Sequence, residues 1–199
     1  ADTLNAMLTA DAWTTALNAL YTEGNRQSIS RYFGNEGEEK VQDTYNYNFD
    51  GTAIKTTTSF TYTDDALTSS LTVKGQDGTV KKSKTLYSGN ESEEKAQKTY
   101  NYNFAGSDVK TTTVFTYTND ALTSSVTNRA GNVTGDTAAV TIGAKRSETF
   151  YIGNEGEEKA QKTYNYDFAG TTVKTTTTFA YTADALTSSV TVKGQDGTV

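Results

Sequence analysis

Apolar and polar residues alternate with a period of two along most of the chain. In residues 41–49, Tyr45, Tyr47 and Phe49 fall on one side and Thr44, Asn46 and Asn48 on the other. In residues 53–62, Ile54, Thr56, Thr58, Phe60 and Tyr62 share one phase, and in residues 66–74 Leu67, Ser69, Leu71 and Val73 do the same. Successive side chains of a strand point to opposite faces, so this pattern predicts β-strands with one apolar and one polar face. Turn signals separate the runs: Asp50-Gly51, Asp64-Asp65 and Gly75-Gln76-Asp77-Gly78. A further run over residues 79–87 completes a unit of four strands joined by short turns, which reads as an antiparallel meander.

The unit recurs. Residues 34–88 return almost unchanged at 89–152 and again at 153–199, so the units are 55, 64 and 47 residues long. The nine extra residues of the second unit fall in its third turn, within residues 128–144, where Gly, Asn and Asp predict a protruding loop or extended hairpin. The fold class expected is therefore all-β: tandem antiparallel meanders in an elongated array.

Residues 1–33 read as the tail of a preceding unit. Leu4, Met7, Trp13, Leu17 and Leu20 have near-helical spacing, and residues 3–21 are rich in Ala and Leu, which favours a helix there over a diverged half-repeat in strands. RQSISRYF at 26–33 matches KKSKTLYS at 81–88 and KRSETFYI at 145–152. The third unit stops before its copy of that strand. A sheet lacking a strand exposes backbone donors and acceptors that another chain can pair. Arg26, Ser28, Ile29, Arg31, Tyr32 and Phe33 on one side, and Val190, Val192 and Val199 on the other, are thus the candidate assembly interface of a head-to-tail homopolymer. Closure of a propeller and a slice taken from a longer repeat protein account for the same offset.

Composition narrows the chemistry. Cys, His and Pro are absent, which excludes disulfides, thiolate nucleophiles and the commonest general base and metal ligand. A formal charge of −6 offers no basic footprint for nucleic acid or an anionic membrane. No apolar run is long enough for a membrane helix, and no segment has the charged start and apolar middle of a signal peptide, although Ala1 suits a processed N-terminus. Abundant Thr and Tyr favour strands and point to an extracellular, cell-surface setting.

FTYTDDALTSSLTVKGQDGTVKKSKTLY, beginning at Phe60, and TYNYDFAGTTVKTTTTFAYTADALTSSVTVKGQDGTV, beginning at Thr163, resemble the tyrosine–aspartate (Rhs-type) repeats of bacterial surface and toxin-delivery proteins. The resemblance spans residues 41–87, 96–151 and 160–199. It departs where the family has Gly-Arg before the leucine, since here Asp-Ala precedes Leu67, Leu122 and Leu186, and the family unit is shorter. It implies an extracellular array of β-hairpins that encloses or displays something, without catalysis in the repeats.

Several residue groups invite a chemical reading. Asn35, Glu36, Glu38 and Glu39, with their copies from Asn90 and Asn154, carry oxygen ligands of the kind Ca²⁺ takes, but their spacing fits no calcium loop. Solvated turns pairing with Lys81, Lys82 and Lys84 are the preferred reading. The runs Thr56–Thr58, Thr111–Thr113 and Thr175–Thr178 form a regular face that suits ice, carbohydrate or another sheet, or simply express β-propensity. Tyr45, Tyr47 and Phe49 with their copies read as core rather than a sugar platform. Asn132 and Asn90 head Asn-x-Ser/Thr glycosylation patterns. Adjacent Asp64 and Asp65 would point to opposite strand faces and make no acid–base pair. Lys55, Lys110 and Lys174 are candidates for a Lys–Asn crosslink. No catalytic, metal or cofactor residue is assigned. The expected role is a structural subunit of a surface filament, without nucleic acid or membrane insertion; the alternative is an adhesin module that recognises carbohydrate or protein at the cell surface.

Overall fold

The computed structural model describes residues 26–195. The helix expected over residues 3–21 and the interface residue Val199 lie outside the described residues. The rest is all-β. The first four strands are β1 (Ser28–Phe33), β2 (Lys40–Tyr47), β3 (Ile54–Thr63) and β4 (Ala66–Lys74). The next four are β5 (Lys81–Ser88), β6 (Lys95–Tyr102), β7 (Val109–Thr118) and β8 (Ala121–Ala130). The last four are β9 (Ile142–Ile152), β10 (Lys159–Tyr166), β11 (Val173–Thr182) and β12 (Ala185–Lys193). Each strand pairs antiparallel with its neighbours in sequence, giving one open 12-stranded sheet in the order β1 to β12. Counted from β1, the described residues form three whole four-strand modules; counted from Gly34, the last unit is one strand short. Both countings leave the same two edges.

Two kinds of connection alternate. At one rim the hairpin turns are tight: φ is +48° and +67° at Asp64 and Asp65, +49° and +66° at Asn119 and Asp120, and +46° and +66° at Ala183 and Asp184. Both central residues of such a turn need positive φ, which Asn and Asp tolerate best. At the other rim Asp50-Gly51 lies inside a wider loop organised by Asn48. The Asn48 amide donates to Ala53 O at 2.9 Å, and its side-chain Oδ1 accepts from Thr52 N and Ala53 N at 2.9 and 3.1 Å. Asn103 and Asp167 repeat the device. This loop corrects the expected aromatic ladder. The strands end at Tyr47, Tyr102 and Tyr166, so the third aromatic of each motif leaves the sheet: Phe49, Phe104 and Phe168 are 93%, 90% and 85% exposed.

The tyrosines do form the core. Tyr45, Tyr100, Tyr102 and Val109 are the buried apolar residues among those described. Among the described residues no second sheet packs on them. Basic side chains form the roof instead: Arg31 lies 5.3 Å from the Tyr45 ring centre, Lys98 5.9 Å from Tyr100, Lys81 5.4 Å from Tyr102 and Lys162 5.7 Å from Tyr164. Long basic side chains lay their methylene stems on apolar surface while the charge stays wet, and the ring face attracts the cation. In the second module the insertion adds cover, with Val140 packed against Tyr100, Tyr102 and Val109. The loop docks through Val109 N to Thr134 O at 2.8 Å.

The threonine runs split between the two faces. One Ser or Thr from each strand joins a row of hydroxyl pairs on the open face: Ser30–Thr44, Thr58–Thr72, Thr85–Thr99, Thr113–Thr127, Thr149–Thr163 and Thr177–Thr191, all at 2.8–2.9 Å. Cross-strand pairs of this kind contribute about 0.2–1 kcal/mol each. The second threonine of each run instead lies opposite the first tyrosine of a Tyr-x-Tyr motif: Thr57 faces Tyr45, Thr112 faces Tyr100 and Thr176 faces Tyr164. Thr57 Oγ1 donates to the carbonyls of Gly75 and Gln76 at 2.7 Å, and Thr176 Oγ1 to Gly194 O at 2.7 Å. The insertion replaces that turn in the second module, and Thr112, wholly buried, has no partner for its hydroxyl among the described residues. Thr112→Val is therefore expected to raise stability by about 1 kcal/mol, while Thr57→Val lowers it by about the same. Urea denaturation of both variants checks this; a loss in Thr112→Val would refute it.

Candidate functional site

The modules meet at two seams, β4 against β5 and β8 against β9, and the same side chains close both. At the first, Ser69 to Val73 of β4 run opposite Leu86 to Lys81 of β5. The loop after β5 then folds over the seam. Glu94 Oε1 accepts the backbone amide of Leu67 at 2.8 Å. Lys40 Nζ sits between Asp65, at 2.7 Å, and Glu91, at 3.0 Å. The hydroxyls of Tyr87 and Ser70 meet at 3.2 Å. At the second seam Glu158 accepts Leu122 N at 2.9 Å, Lys95 sits between Asp120 at 2.7 Å and Glu155 at 2.8 Å, and Tyr151 meets Ser125 at 3.1 Å.

The electrostatics follow from this geometry. The Leu67 amide holds the Glu94 carboxyl below its ordinary value, and the Leu122 amide does so for Glu158. Asp65, then Glu91, raise the Lys40 ammonium, and Asp120, then Glu155, raise Lys95. Each seam sets an acidic loop beside an acidic hairpin turn, and the shared lysine offsets their repulsion. Between Asp65 and Glu91 lies the Lys40 ammonium. This corrects the expected pairing of the acidic turns with Lys81, Lys82 and Lys84: Lys81 lies over Tyr102, and the partners are Lys40 and Lys95. The spacing of 25 residues between Lys40 and Asp65, repeated by Lys95–Asp120 and Lys159–Asp184, was the signal in the sequence.

The candidate interface residues lie at the two edges of the sheet. Arg31 pairs with Asp43 and covers Tyr45, and Arg26 covers Tyr47 at 5.1 Å, so both serve their own module. Ser28 and Ile29 pair with Asn46 and Tyr45 of β2. Phe33 packs edge-on against Tyr62 at 5.7 Å, while Tyr32 is 55% exposed. Val190 and Val192 pair with Thr178 and Thr176 of β11, and every residue of β12 is exposed. Lys159 holds Asp184 at 2.6 Å. Among the described residues nothing pairs with the outer side of β1 or of β12.

The remaining candidates fall elsewhere. Asn132 Nδ2 donates to Ala139 O at 2.9 Å and its Oδ1 accepts from Thr141 N at 2.9 Å, so this amide staples the inserted loop. Asn90 Nδ2 donates to Glu93 at 3.2 Å on an exposed loop. Lys55, Lys110 and Lys174 are exposed on the strands that follow the Asn48-type loops. The geometry defines a single-layer sheet of repeated four-strand modules with two unlike edges. No protein-family model matches the chain, and no curated protein matches it.

Proposed function

We propose that this chain is a structural subunit of an extracellular filament or surface fibre, joined head to tail by β-strand complementation between neighbouring chains. The observation that carries the reading is the outer edge of β12. Its sequence, ALTSSVTVK, nearly repeats the ALTSSLTVK of β4, a strand paired on both sides. Exposed edges are normally blunted by inward charges, proline or bulges; of the nine residues of β12 only Lys193, at its end, is charged, and its one bulge, at Thr187, recurs at Thr68 of β4, which is paired on both sides. The outer edge of β1 has the same relation to β5, which pairs with β4. The twelve described strands, at about 4.8 Å each, span about 58 Å across the sheet.

Proline at one edge position tests this. The Lys74 amide donates toward β5, to Val80 O, and the Gly75 amide toward β3, to Lys55 O. Alternate residues back along β4 face alternately, so Ser70 aims at β5, and its counterpart Ser189 aims outward from β12. Ser189→Pro removes that donor without touching the β11 ladder, which an edge strand tolerates. Electron microscopy and size-exclusion chromatography should find polymers of the wild-type protein and none of Ser189→Pro. Monomeric wild type at every concentration, or unchanged polymers of the variant, would overturn the reading.

One observation favours a second role, as the stalk or binding module of an adhesin. Phe49, Phe104 and Phe168 stand exposed along one rim, once per module, and an exposed ring is a stacking surface for a sugar. Saturable carbohydrate binding by a monomeric protein would select that role over the filament.

A further inference from the structure

The backbone ladder of an edge strand is a poor judge of its partner. A slip of two residues keeps every side chain on its own face, and alternating Ser and Thr resist it weakly. We infer that the loop following β1 reads the partner edge, a second copy of this chain, through Glu36, Glu39 and Tyr32, which meet Lys159, the Leu186 amide and Ser189 of β12. The inference rests on the head-to-tail reading above and specifies its contacts.

Both filled seams supply the template. Glu36 stands where Glu91 and Glu155 stand, Glu39 where Glu94 and Glu158 do, and Tyr32 where Tyr87 and Tyr151 do. On the opposite edge Lys159, Leu186 and Ser189 are the counterparts of Lys40, Leu67 and Ser70, and of Lys95, Leu122 and Ser125. Each of the six contacts at the filled seams is made, at 2.8–3.2 Å. Half of a third set lies at each edge of the same molecule. Among the described residues Lys159 holds Asp184 without the second carboxylate that Lys40 and Lys95 have, and Tyr32 and Leu186 are 55% and 57% exposed. A two-residue slip moves the edges about 7 Å past one another. That carries Glu39 beyond reach of the Leu186 amide, so one register alone satisfies all three contacts. Charge acts in the same sense: the loop holding Glu36 approaches the Asp184 turn, and without Lys159 the two acidic segments repel.

A charge exchange tests the joint. Glu36 is exposed on its loop, so Glu36→Lys leaves the fold alone while setting lysine against Lys159. Lys159→Glu sets three carboxylates together at the other edge. Each variant alone should need at least about fivefold more protein than wild type to polymerise, because an exposed ion pair is replaced by a like-charge contact. An equimolar mixture should restore polymers, since every joint in an alternating chain then carries one lysine and one glutamate. Sedimentation against concentration at low salt gives the readout, with circular dichroism confirming both folds. If each variant polymerises at the wild-type concentration while Ser189→Pro does not, or if the mixture fails to recover, the loop contacts are wrong and strand complementation stands. If wild type never polymerises, the head-to-tail reading fails and the joint with it.

Discussion

Tyr100→Ala is expected to lower the free energy of unfolding by about 3 kcal/mol or more, whereas Phe104→Ala, four residues on, changes it by less than about 0.5 kcal/mol. Both belong to the repeated Tyr-x-Tyr-x-Phe motif, and composition treats them alike. Tyr100 is 6% exposed and packs with Tyr102, Val109 and Leu86, with Val140 closing over the group. A single-layer sheet has no opposing layer that could settle into the space a lost ring leaves. The Lys98 stem would lose the surface it lies on as well. Phe104 is 90% exposed beyond the strand end, with the Lys74 ammonium 6.0 Å from its ring centre. Urea denaturation followed by tyrosine fluorescence measures both; similar losses in the two variants would mean that the rim phenylalanine carries structure after all.

Gly89→Ala should cost about 3 kcal/mol, against about 1 kcal/mol for Gly75→Ala. Gly89 has φ of +139°, and a Cβ there would lie 2.5 Å from Glu93 O and 2.9 Å from the Glu94 Cα. Backbone must move, and the residue displaced is the one whose carboxylate takes the Leu67 amide across the first seam. The variant thus strikes the loop and the seam together. Gly75 also has positive φ, +77°, but nothing lies within 4 Å of its added Cβ, so only conformational strain remains. Thermal melts of the two variants separate these contributions, and equal shifts would show that the seam does not depend on the loop's shape.

Strand positions were legible because alternation and turn chemistry are local. Residues 41–49, 53–62, 66–74 and 79–87 became β2, β3, β4 and β5 with ends displaced by a few residues. Asp64-Asp65 marked its turn because few residue pairs accept positive φ twice. The position of Phe49 was not legible, since alternation continues past the point where Asn48 captures the amides of Thr52 and Ala53 and ends the strand. Thr57 looked like its neighbours Thr56 and Thr58, yet cross-strand register sets it opposite Tyr45 and buries it. The seam was hidden for a related reason: Lys40, Asp65 and Glu91 are brought together by three different connections, and proximity in sequence favoured the wrong lysines.

By itself the sequence determined that this protein is a tandem β-meander with a tyrosine core and an inserted loop in its second module. Those properties follow from period, turn residues and repetition, each readable within a few tens of residues. Only the tertiary structure decided that the meanders merge into one layer, that lysine and arginine stems roof the tyrosines, and that two unlike edges carry matching halves of a seam. Each of these depends on which residues face one another across strands, and hydrogen-bond register, unlike alternation, is a property of pairs.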